Sequence, residues 1–381
     1  MSRPFSAVAA LKRVRKDHLL LAAILILAAW VRLSALDLGW FLMDQVRDGM
    51  AALGILSGQE FPLIGPQAAL STLNLVGPLY YYLLAIPYAV SANPVVGIAF
   101  MNLLNLGSVI LTYRLGAEMF GRPVGLTAAA LYAVFPMAIL SGRGLWNPGF
   151  IPFFSTIFLW TLWRFLVVGR PWTLALVLVL LGVLLQIHLS GGIFVLLLAV
   201  ALLLYRPPLR FRPLMTGLLG VALLFAPYLL YEIQQGFPDV LKLLAWAGKS
   251  PPTSFWIIAS HGFSRAFLLP ERIMAALPIG NTSTIFSVVQ RIELSLVVLG
   301  LLVLGVRLIT AADRRPYILL GLWYALPFAI VPLSRVGVMW YYFDILYPAP
   351  FLVIGLLAQM ALQRRWTGDG GGWQRHGSRV L

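Results

Sequence analysis

Long apolar runs separated by short polar segments dominate this chain. Each run has roughly 17–22 residues, enough for a helix to cross about 30 Å of hydrocarbon. The pattern predicts about ten spans, at residues 19–36, 94–114, 123–140, 150–168, 172–188, 192–205, 214–231, 290–308, 316–333 and 341–362. A mean hydropathy of +0.89 agrees with this pattern. We therefore expect an all-α polytopic membrane protein.

Shorter stretches predict interfacial helices in two outer loops, 37–93 and 232–289. Residues 78–90 hold only about 13 apolar residues, too few for a span, and include four tyrosines and an internal proline. That composition is typical of the headgroup interface. Counting this stretch as a span would invert the sidedness of every later loop. Stretches 239–249 and 253–277 carry apolar and basic residues on opposite faces, as surface-lying helices do.

The net charge of +15 would indicate nucleic acid in a soluble protein, but its distribution indicates membrane orientation instead. With the N-terminus inside, most of the 28 basic residues and few of the 13 acidic ones fall in inner segments. This is the positive-inside pattern. We expect no nucleic-acid partner and a multi-pass plasma (inner) membrane protein with both termini cytoplasmic. It divides into a basic tail (1–18), a transmembrane domain (19–362) and a disordered tail (363–381).

Several classes of chemistry are disfavoured by what the sequence lacks. There is no cysteine, which excludes disulfides and thiolate nucleophiles. The four histidines are scattered, which disfavours a zinc site. No Gly-rich nucleotide loop is evident, which argues against direct use of a nucleotide sugar or ATP.

A polar cluster just after the first predicted span contains Asp44, Arg47 and Asp48. Ionisable groups are costly near lipid, so a cluster of them at one membrane face favours a functional site. If Asp44 begins a short helix, Asp48 lies one turn on, and Arg47 can hold a carboxylate ionised or bind a phosphate. A second interpretation, that these residues only solvate a helix end, stays open.

More polar side chains are predicted at the same membrane face, at the ends of other spans. They are Arg143, Asn147, His188, Arg335, Tyr341, Tyr342 and Asp344. His188 can equally be a structural hydrogen-bonding residue, and Arg335 can be a headgroup anchor. Their convergence on the face that holds Asp44 favours a common site.

In order and sidedness, the motifs resemble the GT-C superfamily of integral-membrane glycosyltransferases. The resemblance is to the branch with protein O-mannosyltransferases and lipid A aminoarabinose transferases, and it covers roughly residues 19–360. The similar elements are MDQVRDG after the first span, a GPLYYY entry to the interfacial helix, the basic turn YRLGAEMFGRPVG, an SxR…NP segment, a long outer loop after the seventh span, and a late Arg…Tyr-Tyr…Pro segment.

The resemblance implies a sugar donor on a polyprenyl phosphate and inverting transfer at the outer face to a lipid, glycan or protein acceptor. Asp44 would be the general base, Arg47 would orient that acid or the acceptor, and Asp48 completes the catalytic group. Arg335 with Tyr341 or Tyr342 would bind the lipid phosphate, because a guanidinium fork matches phosphate oxygens. The further phosphate- or lipid-binding candidates are Arg143 and His188, and Asn147 and Asp344 are further site residues.

Two departures from the family pattern affect these expectations. Asn147 stands where relatives often carry a second acid, and Gly77 stands where the aminoarabinose transferases show a lysine. An amide cannot act as a base, and Asn147 therefore argues against a metal-bridging pair of acids. We expect no cofactor and do not favour a divalent metal. The alternatives are a transporter or flippase of lipid-linked sugars, which inverted repeats would favour, and a non-catalytic assembly subunit.

Overall fold

The computed structural model describes residues 5–67, 76–246, 254–268, 283–331 and 338–368, which contain helices and no β-strand. The α-helices are α1 (Phe5–Leu33), α2 (Met43–Leu56), α3 (Leu79–Tyr88), α4 (Pro94–Phe120), α5 (Arg122–Val134), α6 (Pro136–Gly142), α7 (Ile151–Leu166), α8 (Thr173–Ile187), α9 (Gly192–Tyr205), α10 (Phe211–Gln234), α11 (Pro238–Trp246), α12 (Phe255–Ala266), α13 (Ser283–Thr310), α14 (Arg315–Ile330) and α15 (Ala349–Gly368). Short 3-10 helices lie at Leu36–Leu38, Asn147–Phe150, Leu189–Gly191 and Trp340–Leu346.

Each of the ten predicted apolar segments contains helix in its described part, which confirms the all-α class. Within the described ranges, 4 helices are long and apolar enough to cross a membrane: α4, Asn147–Leu166, α10 and Val288–Thr310 of α13. Two bent pairs, α5 with α6 at 61° and Trp340–Leu346 with α15 at 41°, raise that number to 6. Helices α8 and Leu189–Tyr205 are apolar but shorter. The count of about ten spans stays a prediction.

The helices pack as a bundle whose outer surface is apolar. Helix α4 packs along α5 and α7, α8 along α7 and α10, and α15 along α5 and α13. Helix α10 keeps large side chains such as Leu219 and Leu223 more than 60% exposed, at 61% and 66%. Such a surface is unfavourable in water. It fits a helix that faces lipid.

The interfacial helices match the predicted stretches only in part. Helix α3 has 10 residues, about 15 Å of helix, which is too short to cross a bilayer. Helix α11 begins at Pro238, one residue before the stretch 239–249, and α12 forms within 253–277 and ends at Ala266. Residues 247–249 and 253 lie outside the described residues. Residues 269–277 lie outside the described residues. Helix α1 begins at Phe5, inside the predicted basic tail, and α15 continues to Gly368, inside the tail predicted from 363; residues 369–381 are outside the described part.

Buried polar side chains hold the bend between α5 and α6. Pro136 has no N–H, so the carbonyl of Tyr132 loses its helical partner. The fully buried Arg32 of α1 donates to that carbonyl at 3.0 Å and to the carbonyl of Ala133. Its Nε also donates to Oδ1 of Asn105 at 3.0 Å. Because these groups are buried, the bonds stabilise the bend.

Arg32→Leu is expected to lower the melting temperature of the detergent-solubilised protein by at least about 4 °C. The substitution leaves buried oxygen acceptors unpaired, at about 1–3 kcal/mol each, partly offset because no guanidinium is then buried. Arg122→Leu is the matched control, since it breaks only the partly exposed pair with Asp17 at 3.2 Å. Equal shifts in differential scanning fluorimetry would contradict this account of the bend.

Candidate active site

The polar cluster lies on α2, which begins where the sequence hypothesis placed a short helix. Asp44 lies in the first turn, where the helix dipole favours a negative charge. Oε1 of Gln45 accepts the backbone N–H of Leu42 at 2.8 Å, which satisfies one donor at the helix start. Asp48 follows one turn later.

Arg47 lies between the two carboxylates of α2. Its Nη1 is 3.1 Å from Oδ1 of Asp44, and its Nη2 and Nε are 2.8 Å and 2.9 Å from Oδ1 of Asp48. The side chain of Asp44 is 56% exposed and that of Asp48 is fully buried, at 0%. An accessible carboxylate is thus tethered through a guanidinium fork to a buried one.

Asp48 is buried because α2 packs closely on α3. A Cβ added to Gly49 would lie 2.8 Å from the hydroxyl oxygen of Tyr88, so glycine permits this approach. The hydroxyl of Tyr80 lies beside Asp48, whose Oδ2 has no hydrogen-bond partner among the described residues. Burial raises the pKa of Asp48 to about 6, and the neighbouring Arg47 limits that rise.

His188 lies at the junction between α8 and α9. Its Nδ1 accepts the backbone N–H of Ser190 at 3.2 Å, so the ring hydrogen is on Nε2 and the imidazole is neutral. The ring is 4.5 Å from Tyr342 and 5.6 Å from Tyr341, measured between centroids. His188 is therefore a fixed neutral donor, and its bond to Ser190 also fits the structural interpretation.

Asn147 and Trp146 connect the α6–α7 turn to the same site. Nδ2 of Asn147 donates to the carbonyl of Ile187, the last residue of α8, at 2.9 Å. The ring of Trp146 is 4.4 Å from that of Tyr341 and 5.6 Å from that of Trp40, which lies four residues before Asp44. The structure thus brings Asn147, His188, Tyr341 and Tyr342 together beside the polar cluster of α2.

Arg143 caps the end of α1. Its guanidinium donates to the carbonyls of Ala35 at 2.8 Å, Ser34 at 3.0 Å and Val31 at 3.2 Å. A cation at a helix C-terminus is favourable because the last carbonyls carry partial negative charge. These bonds give Arg143 a structural role, and its predicted role as a phosphate ligand stays a prediction.

Asp344 has a partner that the sequence reasoning missed. Nε of Arg265 on α12 lies 2.9 Å from Oδ1 of Asp344, and both side chains are buried. The Arg265 guanidinium also lies over the ring of Trp340, 4.4 Å from its centroid. The sequence signal for Arg265 was its position, as a basic residue, in the amphipathic stretch 253–277. Arg335, the predicted phosphate ligand, lies outside the described residues.

Packing explains why position 77 holds glycine where the aminoarabinose transferases show a lysine. A Cβ added there would lie 1.8 Å from Oε1 of Gln186. Gln186 is fully buried and its Nε2 donates to the carbonyl of Leu224 at 3.0 Å. A larger side chain at Gly77 would have to displace this glutamine, which joins α3, α8 and α10.

Solved structures of membrane glycosyltransferases share this fold. A crystal structure of ArnT from Cupriavidus metallidurans, bound to undecaprenyl phosphate, has a TM-score of 0.58 at 16% identity and covers 94% of this chain and 62% of that one. Two Archaeoglobus fulgidus oligosaccharyltransferase structures, one with Zn and sulfate and one tethered to an acceptor peptide, have TM-scores of 0.53 and 0.52 at 14% and 13% identity. Each covers 92% of this chain and 50% of that one.

The resemblance to the GT-C fold is thereby confirmed. No protein-family model and no curated protein sequence matches this chain. Its apolar helices and these membrane-protein neighbours identify it as an integral membrane protein with a GT-C-type fold. The chain spans less than two thirds of the length of these neighbours, at 62% and 50%.

A divalent cation, such as the Zn in the oligosaccharyltransferase structure, does not fit the described site. The guanidinium of Arg47 already bridges Asp44 and Asp48, and its positive charge opposes a second cation there. Asn147 supplies an amide in place of an acid. No group of three His, Cys, Asp or Glu side chains able to hold a metal occurs among the described residues. We assign no step to a metal.

The raised pKa of Asp48 predicts a specific pH dependence of stability. An unfolded aspartate has a pKa of about 3.9, so the folded state binds the proton more tightly. Protonation of Asp48 contributes its full share to the free energy of unfolding below about pH 4, and this contribution is lost as pH rises through about 6. The melting temperature of the native protein should fall relative to that of Asp48→Asn over this window. If the melting temperatures of the two proteins changed in parallel with pH, this prediction would be wrong.

Proposed function

We propose that this protein is a glycosyltransferase that moves a sugar from a polyprenyl-phosphate donor to an acceptor, with inversion and with Asp44 as the general base. The acceptor is a hydroxyl or amine of a lipid, glycan or protein. The reaction takes place at the end of the bundle that carries α2. The positive-inside pattern makes this the outer face of the plasma membrane, with both termini cytoplasmic.

The observation that carries this proposal is the Asp44–Arg47–Asp48 arrangement. Asp44 is the exposed member of the three, and Arg47 orients it at 3.1 Å. Its free oxygen takes the proton as the acceptor oxygen or nitrogen attacks the anomeric carbon. The bond from that carbon to the phosphate oxygen breaks, and its electron pair leaves on the polyprenyl phosphate. The buried Asp48 positions Arg47, with Oδ1 of Asp48 2.8 Å from Nη2 of Arg47.

Neutral donors near the polar cluster supply part of the binding for the leaving phosphate. The candidates are Nε2–H of His188 and the hydroxyls of Tyr341 and Tyr342, whose rings contact one another. Donors fixed by packing stabilise developing charge without reorganisation. Arg335 is the proposed cation for this phosphate, by the family resemblance. The apolar bundle surface would accommodate the polyprenyl chain.

Asp44→Asn is expected to reduce transfer at least about 100-fold, because an amide cannot accept the acceptor's proton. The assay supplies polyprenyl-phosphate sugars to purified protein and follows freed polyprenyl phosphate and new glycoconjugates by mass spectrometry. Asp37→Asn is the matched control, since Asp37 is an exposed acid in the same loop. Full turnover by Asp44→Asn would refute the mechanism. Donor movement across vesicle membranes without any freed polyprenyl phosphate would favour the flippase alternative.

Transfer is also expected to be independent of divalent metal. The guanidinium of Arg47 supplies the positive charge between Asp44 and Asp48. Removing metals with EDTA should therefore change the rate by less than about twofold, where a metal-dependent enzyme would lose its Lewis acid. Loss of activity in EDTA, with recovery on adding Mn²⁺ or Mg²⁺, would contradict this prediction.

A further inference from the structure

Three indole rings meet at the turns of the candidate active site. Trp40 precedes α2, Trp146 lies between α6 and α7, and Trp340 begins the last 3-10 helix. The ring of Trp146 is 5.6 Å from that of Trp40 and 6.4 Å from that of Trp340, both in edge-to-face geometry. All three side chains are partly exposed. We refer to Trp40, Trp146 and Trp340 as the tryptophan cluster.

The tryptophan cluster is held rigidly on both sides. The backbone of Trp40 pairs with that of Gly144, and a Cβ on Gly144 would lie 2.2 Å from the Trp40 ring. Trp340 is backed by Arg265 at 4.4 Å, and Arg265 is itself paired with Asp344 at 2.9 Å. A surface fixed in this way binds a ligand with little loss of side-chain entropy.

The position of the tryptophan cluster connects it to the chemistry. Tyr341 contacts Trp146 at 4.4 Å and Trp340 at 5.4 Å between ring centroids. Trp40 itself lies four residues before Asp44, in the segment that leads into α2. A ligand seated on these indoles therefore lies beside the proposed base.

The tryptophan cluster differs from the exposed tryptophans elsewhere in the described part of the chain. Trp30, Trp172 and Trp256 are 70%, 60% and 77% exposed and lie on or next to outer helix surfaces. Single exposed tryptophans are typical of the lipid headgroup region. The clustered rings instead pack on one another at a polar site, which is typical of a ligand pocket with aromatic walls and few polar groups.

We propose that the tryptophan cluster is the binding platform for the ring of the transferred sugar. This inference rests on the proposed function and adds to it the class of sugar, a hexose or pentose without an anionic group. The C–H groups on one face of such a ring carry partial positive charge, and an indole face carries the negative part of its quadrupole. The guanidinium of Arg47 is engaged by two carboxylates and that of Arg143 by α1 carbonyls. Among the residues that the structure describes at this site, recognition of the sugar ring then falls to the aromatic faces.

The test compares equilibrium binding of polyprenyl-phosphate mannose, polyprenyl-phosphate glucose and bare polyprenyl phosphate. All measurements use the Asp44→Asn background, so that the donor is not consumed. The ratio of the Kd for bare carrier to the Kd for sugar-bearing donor isolates the contribution of the sugar. We expect Trp146→Ala to reduce this ratio roughly tenfold, the effect of one lost aromatic contact, and to leave the Kd for bare carrier unchanged.

Trp146→Phe, which keeps an aromatic face, should retain most of the ratio, and Trp30→Ala should retain all of it. If Trp146→Ala does not fold, Trp40→Ala provides the same comparison. An unchanged ratio in the folded alanine variant would overturn the inference, as would equal binding of donor and bare carrier by the parent protein. Failure of the parent to bind even bare polyprenyl phosphate would instead count against the proposed function.

Discussion

The requirement that buried backbone carbonyls find donors governs how this bundle builds its site. The helix breaks at Pro136 and between α8 and α9 leave backbone carbonyls without their helical partners. In the interior, lipid and apolar side chains cannot donate hydrogen bonds to them. Arg32 and Asn147 donate to carbonyls of this kind. Arg143 does the same at the end of α1. These bonds hold the irregular segments in place, and the irregular segments carry the site.

The chemistry depends on unequal burial of two carboxylates on one helix turn. Asp48 is sealed against α3, whereas Asp44 stays open to a ligand, and Arg47 joins them. The buried acid keeps the guanidinium in one orientation, and the guanidinium orients the exposed acid. This division explains how an exposed carboxylate near the membrane is balanced by a positive charge on the same helix. It also leaves recognition of the uncharged parts of a substrate to the surrounding aromatic rings.

Much of the fold could be predicted from sequence because it depends on local properties. Apolar run length predicted the all-helical architecture, and the length and prolines of 78–90 predicted a helix too short to cross, as α3 is. The roles of individual site residues depend on distant contacts. Arg143 caps carbonyls more than 100 residues away along the chain, and Asp344 pairs with Arg265 from another helix. No local pattern contains those partners, and none assembles three tryptophans from separate turns.

The most direct test of the account is whether transfer depends on the guanidinium fork of Arg47, which orients Asp44. Purified native protein and Arg47→Lys are given a polyprenyl-phosphate sugar with an envelope extract as the source of acceptor, and freed polyprenyl phosphate is measured by mass spectrometry. Lysine keeps the charge but not the fork that reaches both Asp44 and Asp48. The account predicts release by the native protein and at least a tenfold slower release by Arg47→Lys, about 1.4 kcal/mol of transition-state stabilisation. Equal release by the two proteins, or none from the native protein, would contradict it.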